Sequence, residues 1–75
     1  MNAADLSIGE SALITSAADH PIAARLAEMG CLPGVRIQLL FQAPFGDPLA
    51  FEIGDGYLLS MRREEAAMLE VVKTQ

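Results

Sequence analysis

The chain is poor in the residues that usually do chemistry. Among its 75 residues there is one cysteine, Cys31, one histidine, His20, and no tryptophan. A single cysteine excludes an internal disulfide and cysteine-rich zinc or iron-sulfur ligation within one monomer. Basic residues are equally scarce: five against ten acidic ones give a formal net charge of −5, and Arg62-Arg63 is the one adjacent pair. Phosphate-backbone binding requires clustered cations that release counterions, so nucleic acid is not an expected partner. The same deficit weakens any attraction to anionic lipid. No apolar run approaches the roughly 20 residues needed to span a bilayer, and the first residues lack both a basic start and an apolar stretch. The expectation is a cytoplasmic protein in a reducing compartment, with no direct membrane insertion.

What is abundant is apolar side chain, 52% of the sequence, spread among charges without a low-complexity tract. That composition argues for one packed domain over residues 1–75. Its language changes between Arg25 and Gly34. Ile22, Leu26 and Met29 fall at i, i+4 and i+7 and predict one helical face; Gly30 is placed for a left-handed cap, so the helix should stop near Met29. Asp19 or His20 supplies its N-cap and Pro21 its first turn. Pro33-Gly34 suits the central positions of a type II turn that launches the next strand.

Period-two alternation marks the strands. Leu6, Ile8 and Gly9 lead into a first strand over Glu10 to Thr15, with Ala12 and Ile14 on one face and Ser11, Leu13 and Thr15 on the other. After the Pro-Gly corner, Val35, Ile37, Leu39, Phe41 and Ala43 are expected on the core face. The prolines, glycine and aspartate of Ala43 to Pro48 break pairing into a loop, after which Leu49, Phe51 and Ile53 resume. Gly54-Asp55-Gly56 predicts a tight two-residue hairpin turn, returning Tyr57, Leu59 and Met61 to the interior. Glu64 and Glu65 start a short helical turn, and Leu69 and Val71 begin the last strand. Five strands on so little chain need protected edges, which favours a mainly β, SH3-like five-stranded barrel with one helix between strands 1 and 2 and a short helical turn before the last strand. An OB-like barrel is the alternative, though it usually needs more residues and a later helix.

Candidate chemistry is sparse. His20 and Cys31 sit at opposite ends of the predicted helix, roughly 15 Å apart at 1.5 Å per residue, so they form no nucleophile-base pair. No phosphate loop is present, and catalysis is not expected. Asp19 and His20 are weak candidates for ferrous iron or another divalent transition metal, against a plain helix-cap reading; one histidine cannot build a two-histidine site. No cofactor is required. Few aromatics disfavour recognition of proline-rich peptides. Phe45, at the tip of the proline-bounded loop, is read as a lid on the barrel in preference to a partner anchor. Contact candidates are the outward Leu40 and Leu58, Leu32 in the corner, and Arg25 with Leu26 if the helix docks, although Leu26 fits the core better. Self-association through an exposed strand edge stays compatible with the pattern.

The motifs Leu6-x-Ile8-Gly9-Glu10, Arg25-Leu26-x-Glu28-Met29-Gly30-x-x-Pro33-Gly34, Ala43-Pro44-x-Gly46-Asp47-Pro48, Leu59-x-Met61-Arg62-x-x-Glu65-Ala66 and Leu69-Glu70-Val71 together resemble the FeoA family of bacterial ferrous iron transport. Most of these positions are shape devices. Ala24 stands where a second basic residue often precedes Arg25 in that family. The resemblance implies an SH3-like fold and a non-enzymatic accessory subunit that binds the cytosolic part of the FeoB permease, supporting its assembly or GTPase-linked transport. Through that partner it would lie at the membrane periphery. A metal-responsive sensor domain, similar to the SH3-like domain that ends DtxR-type repressors, is the alternative.

Overall fold

The computed structural model describes residues 1–74. Its strands are β1 (Ser11–Ala17), β2 (Arg36–Gln42), β3 (Leu49–Ile53), β4 (Tyr57–Met61) and β5 (Leu69–Lys73); α1 (Pro21–Glu28) follows β1, and the single turn α2 (Arg63–Ala66) precedes β5. All pairings are antiparallel, in the order β4-β3-β2-β1-β5. Among the described residues no ladder joins β4 to β5, so the curved sheet is barrel-like without hydrogen-bonded closure, and α2 connects its two edge strands.

The 25–34 stretch folds as its residue types dictate. His20 caps α1 by accepting the Ile22 amide on Nδ1 at 3.1 Å, and Pro21 opens the first turn. At the other end the Gly30 amide donates to Ala27 O and the Cys31 amide to Leu26 O, both at 3.0 Å, with Gly30 at φ +103°. This is a Schellman closure, whose reverse turn a side chain would strain. Cys31 and Leu26 enter the core together. The Val35 amide then reaches Leu32 O across Pro33-Gly34, with Gly34 at φ +90°, the expected type II geometry. Gly34 N and Val35 O bond Ile14, welding the corner to β1.

The core contains Ala12, Ile14, Leu26, Ile37, Leu39, Phe51 and Leu69, each at most 2% exposed. Several expectations change. The first strand continues past Thr15 to Ala17 through a register shift against β5 between Ile14 and Ser16. Leu6 is buried, but Ile8 faces solvent. In β2 the register moves from Leu39↔Phe51 to Phe41↔Ala50, so Leu40 is an extra residue. A bulge of this kind exchanges the two faces of the strand. Phe41 is therefore outside, 59% exposed, and Leu40 is half-buried instead of outward. Tyr57 is also exposed, at the turn end of the hairpin. That hairpin has a three-residue loop, because Ile53 pairs with Tyr57 around Gly54-Asp55-Gly56.

An unpredicted 3-10 turn, Ala3–Asp5, opens the chain and buries Ala3. Asn2 Oδ1 accepts from the Ala4 amide while Asp5 Oδ2 accepts from the Asn2 amide, both at 2.9 Å. The segment lies on β5, where Asn2 bridges Glu70 and the Val71 amide donates to Met1 O.

A displayed aromatic loop and a helix-end groove

Ala43 to Pro48 is held from within and from outside. Inside, the Ala43 amide donates to Pro48 O at 3.0 Å and the Gly46 amide to Ala43 O at 2.8 Å. From outside, Arg63 serves as a pin. Its amide donates to Asp47 Oδ1 at 2.9 Å, Nε to Gly46 O at 3.1 Å, and Nη1 to Ala4 O at 3.0 Å. Nη2 reaches Gln42 Oε1 at 3.4 Å. One planar guanidinium thus ties α2, the N-terminal turn, the end of β2 and the loop together, which Lys could not reproduce with a single ammonium.

The product is the presentation of Phe45. Its backbone stands at φ +70°, ψ +8°, the sole non-glycine residue with positive φ among those described. Side chains crowd the following carbonyl there, at about 1–2 kcal/mol. The ring is 107% exposed. It covers nothing, so the lid expectation is corrected: pinned on both sides, the loop turns the ring into solvent. Phe41, also exposed, stands near the end of β2 that leads into this loop.

A concave feature lies between the end of α1 and the β3-β4 hairpin. Glu28, Met29, Gly30, Val35, Ile53, Gly54 and Tyr57 line a groove of about 490 Å³. Met29 and Gly30, read in sequence as shape alone, therefore form a wall. Inward strand parity predicts Tyr57 in the core; its place next to the Gly54-Asp55-Gly56 turn is the available sign that it sits at a rim.

The other candidates separate. Leu26 is 2% exposed and inside the core, so it is no partner contact. Arg25 is exposed on α1 and reaches Glu65 Oε2 of α2 at 3.5 Å, while Glu65 Oε1 accepts the Arg62 amide at 2.7 Å. Leu32 and Leu58 are exposed, as expected. Pro33, Gly34, Pro44, Gly46, Asp47 and Pro48 are turn formers in the places described, with a cis Asp47-Pro48 peptide. Arg63, the residue on which the loop depends, was not singled out in sequence.

His20 Nδ1 is occupied by the Ile22 amide, and among the described residues no three His, Cys, Asp or Glu side chains gather in a metal-holding arrangement. Burial pushes the Cys31 thiol above its ordinary value and away from the reactive thiolate. No helix is long and apolar enough to cross a membrane.

Comparison with known proteins agrees with this geometry. The FeoA domain model matches residues 1–73. A fusion protein of Fe(2+) transport protein A and the Fe(2+) transporter FeoB from Porphyromonas gingivalis is 36% identical over 72 residues, 95% of this chain. The chain spans only 8% of that relative's length. The solution structure of FeoA protein from Chlorobium tepidum superposes with a TM-score of 0.90 at 36% identity, covering 100% of this chain and 71% of that one. FeoA of Stenotrophomonas maltophilia, a prokaryotic SH3 domain protein complexed with zinc, gives 0.83 at 27% identity, covering 96% and 89%. A manganese-dependent transcriptional repressor gives 0.88 at 16% identity over 99% of this chain and 36% of its own, a likeness of fold alone. The fold is SH3-like, and the chain belongs to the FeoA family.

Proposed function

We propose that this protein is a non-enzymatic accessory subunit of bacterial ferrous iron uptake that docks on the cytosolic part of a FeoB-type permease. The observation that carries the reading is Phe45, a fully exposed aromatic held in an unfavourable backbone conformation by a pinned loop. Local strain of this kind persists where the surroundings over-determine it and clusters at functional contacts. An aromatic ring on a rigid support suits a docking anchor, since little conformational entropy is lost on binding. Covalent union of a similar domain with FeoB in the P. gingivalis protein supports the choice of partner. Leu32 and the helix-end groove are further contact candidates, and no resident cofactor is needed.

The test is titration of a FeoB cytosolic domain with the protein and with its Phe45→Asp variant, alongside permease-dependent iron uptake. Loss of binding and uptake by a folded variant is expected; unaltered binding and uptake would remove this loop as the contact. The alternative, a metal-responsive sensor domain, shares the repressor fold. Ferrous iron raising the thermal stability of the isolated protein would favour it.

A further inference from the structure

The two edges of the sheet are treated differently. On β5 the edge carries Glu70 and Lys73 and is covered at one end by the N-terminal segment, through the Asn2↔Glu70 bridge, the Val71 amide to Met1 O, and the N-terminal ammonium 3.7 Å from Glu70. Proteins commonly protect an edge in these ways. On β4 no such protection is present among the described residues. Its sequence Tyr-Leu-Leu-Ser-Met has neither charge nor proline, and among the described residues it pairs with β3 alone. Leu58, 68% exposed, and Tyr57 stand on it in solvent.

We infer that the free edge of β4 pairs antiparallel with β4 of a second copy of this chain, about a two-fold axis through Leu59. Charge complementarity favours this occupant. A register centred on Leu59 sets Leu58 against the partner copy's residue 60, Tyr57 against its residue 61 and Gly56 against its residue 62. Residues opposite one another in an antiparallel pair lie on the same face of the sheet. Arg62, exposed and without a carboxylate within salt-bridge distance among the described residues, thereby arrives beside Gly56 of the other copy. Asp55 precedes that glycine, and Glu52 Oε2 lies 3.8 Å from where a β-carbon at Gly56 would stand. Each end of the paired strands therefore brings one guanidinium to two carboxylates, twice by symmetry, as an isologous interface requires. A five-residue edge gives a small contact, so the dimer dissociates on dilution. This inference is independent of the permease reading.

Sedimentation velocity from micromolar to millimolar protein, with isotope-filtered NMR on a mixed-label sample, tests it. Expected are a concentration-dependent dimer, intermolecular contacts between Leu58 and Ser60, and slowed amide exchange along β4. Arg62→Glu should abolish the dimer while leaving the amide spectrum folded, and Arg62→Glu combined with Glu52→Lys and Asp55→Lys should restore it. A monomer at millimolar concentration, a dimer whose contacts lie elsewhere, or a dimer indifferent to both charge changes would overturn the inference.

Discussion

Arg63 Nε donates to the carbonyl oxygen of Gly46 at 3.1 Å, across 17 residues of sequence, and the same guanidinium reaches Ala4 O at 3.0 Å. Replacement by Ala should cost about 1–2 kcal/mol, since these are charge-assisted bonds in an exposed setting. Hydrogen exchange should accelerate at both ends of the link, in the 43–48 loop and in the N-terminal turn. Arg63→Lys should restore little of the protection, because one ammonium cannot serve acceptors on separate segments. Exchange confined to the loop alone would show that the pin does not couple them.

Phe45 separates strain from recognition. Phe45→Gly should be more stable than Phe45→Ala by about 1 kcal/mol, because glycine adopts positive φ without the β-carbon penalty. Both substitutions remove the ring and should weaken partner binding alike. Chemical denaturation measures the first effect and titration the second; equal stability of the two variants would mean the backbone relaxes away from φ +70°.

Leu26 carries the opposite prediction. It is buried beneath α1 beside Cys31, so Leu26→Ala should lose about 2–5 kcal/mol, a large fraction of the stability of a small domain. Any loss of partner binding by that variant should track loss of the folded spectrum. Full stability with lost binding would return Leu26 to the docking surface.

The pattern of successes in sequence follows from distance. The α1 cap, the Pro33-Gly34 turn and the shared face of Ala12 and Ile14 are local consequences of residue type, and all were legible. Phe41 was not: alternation predicts its face only while the register holds, and the extra residue at Leu40 reverses it through pairing with β3. Tyr57 has inward parity, but it lies at the turn end of the hairpin and stays uncovered. Phe45 and Arg63 were misread or missed for one reason. The loop conformation depends on the remote Arg63, whose guanidinium is directed by the backbone carbonyls of Gly46 and Ala4, and a carbonyl has no sequence signature.

Acid stability should report one ion pair. Glu10 Oε2 lies 2.7 Å from Lys73 Nζ, and Oε1 accepts the Ser7 amide at 2.8 Å. The bond to Lys73, then that from Ser7, holds its carboxyl below the ordinary value of 4.5. A depressed folded-state value stabilises the fold above about pH 4.5 and is lost as pH falls from there through the lower folded value. Glu10→Gln should therefore lower stability slightly at neutral pH and flatten its decline below that point, as followed by thermal melts across pH. An unchanged acid limb would indicate that the pair does not persist in solution.

We propose Phe45 as the anchor of this protein on a FeoB-type permease. Calorimetric titration of a FeoB cytosolic domain with Phe45→Gly measures it most directly, because this substitution should preserve or improve the fold. Binding weakened at least tenfold, about 1.4 kcal/mol, with stability retained is the expected result. Wild-type affinity in the glycine variant would contradict it.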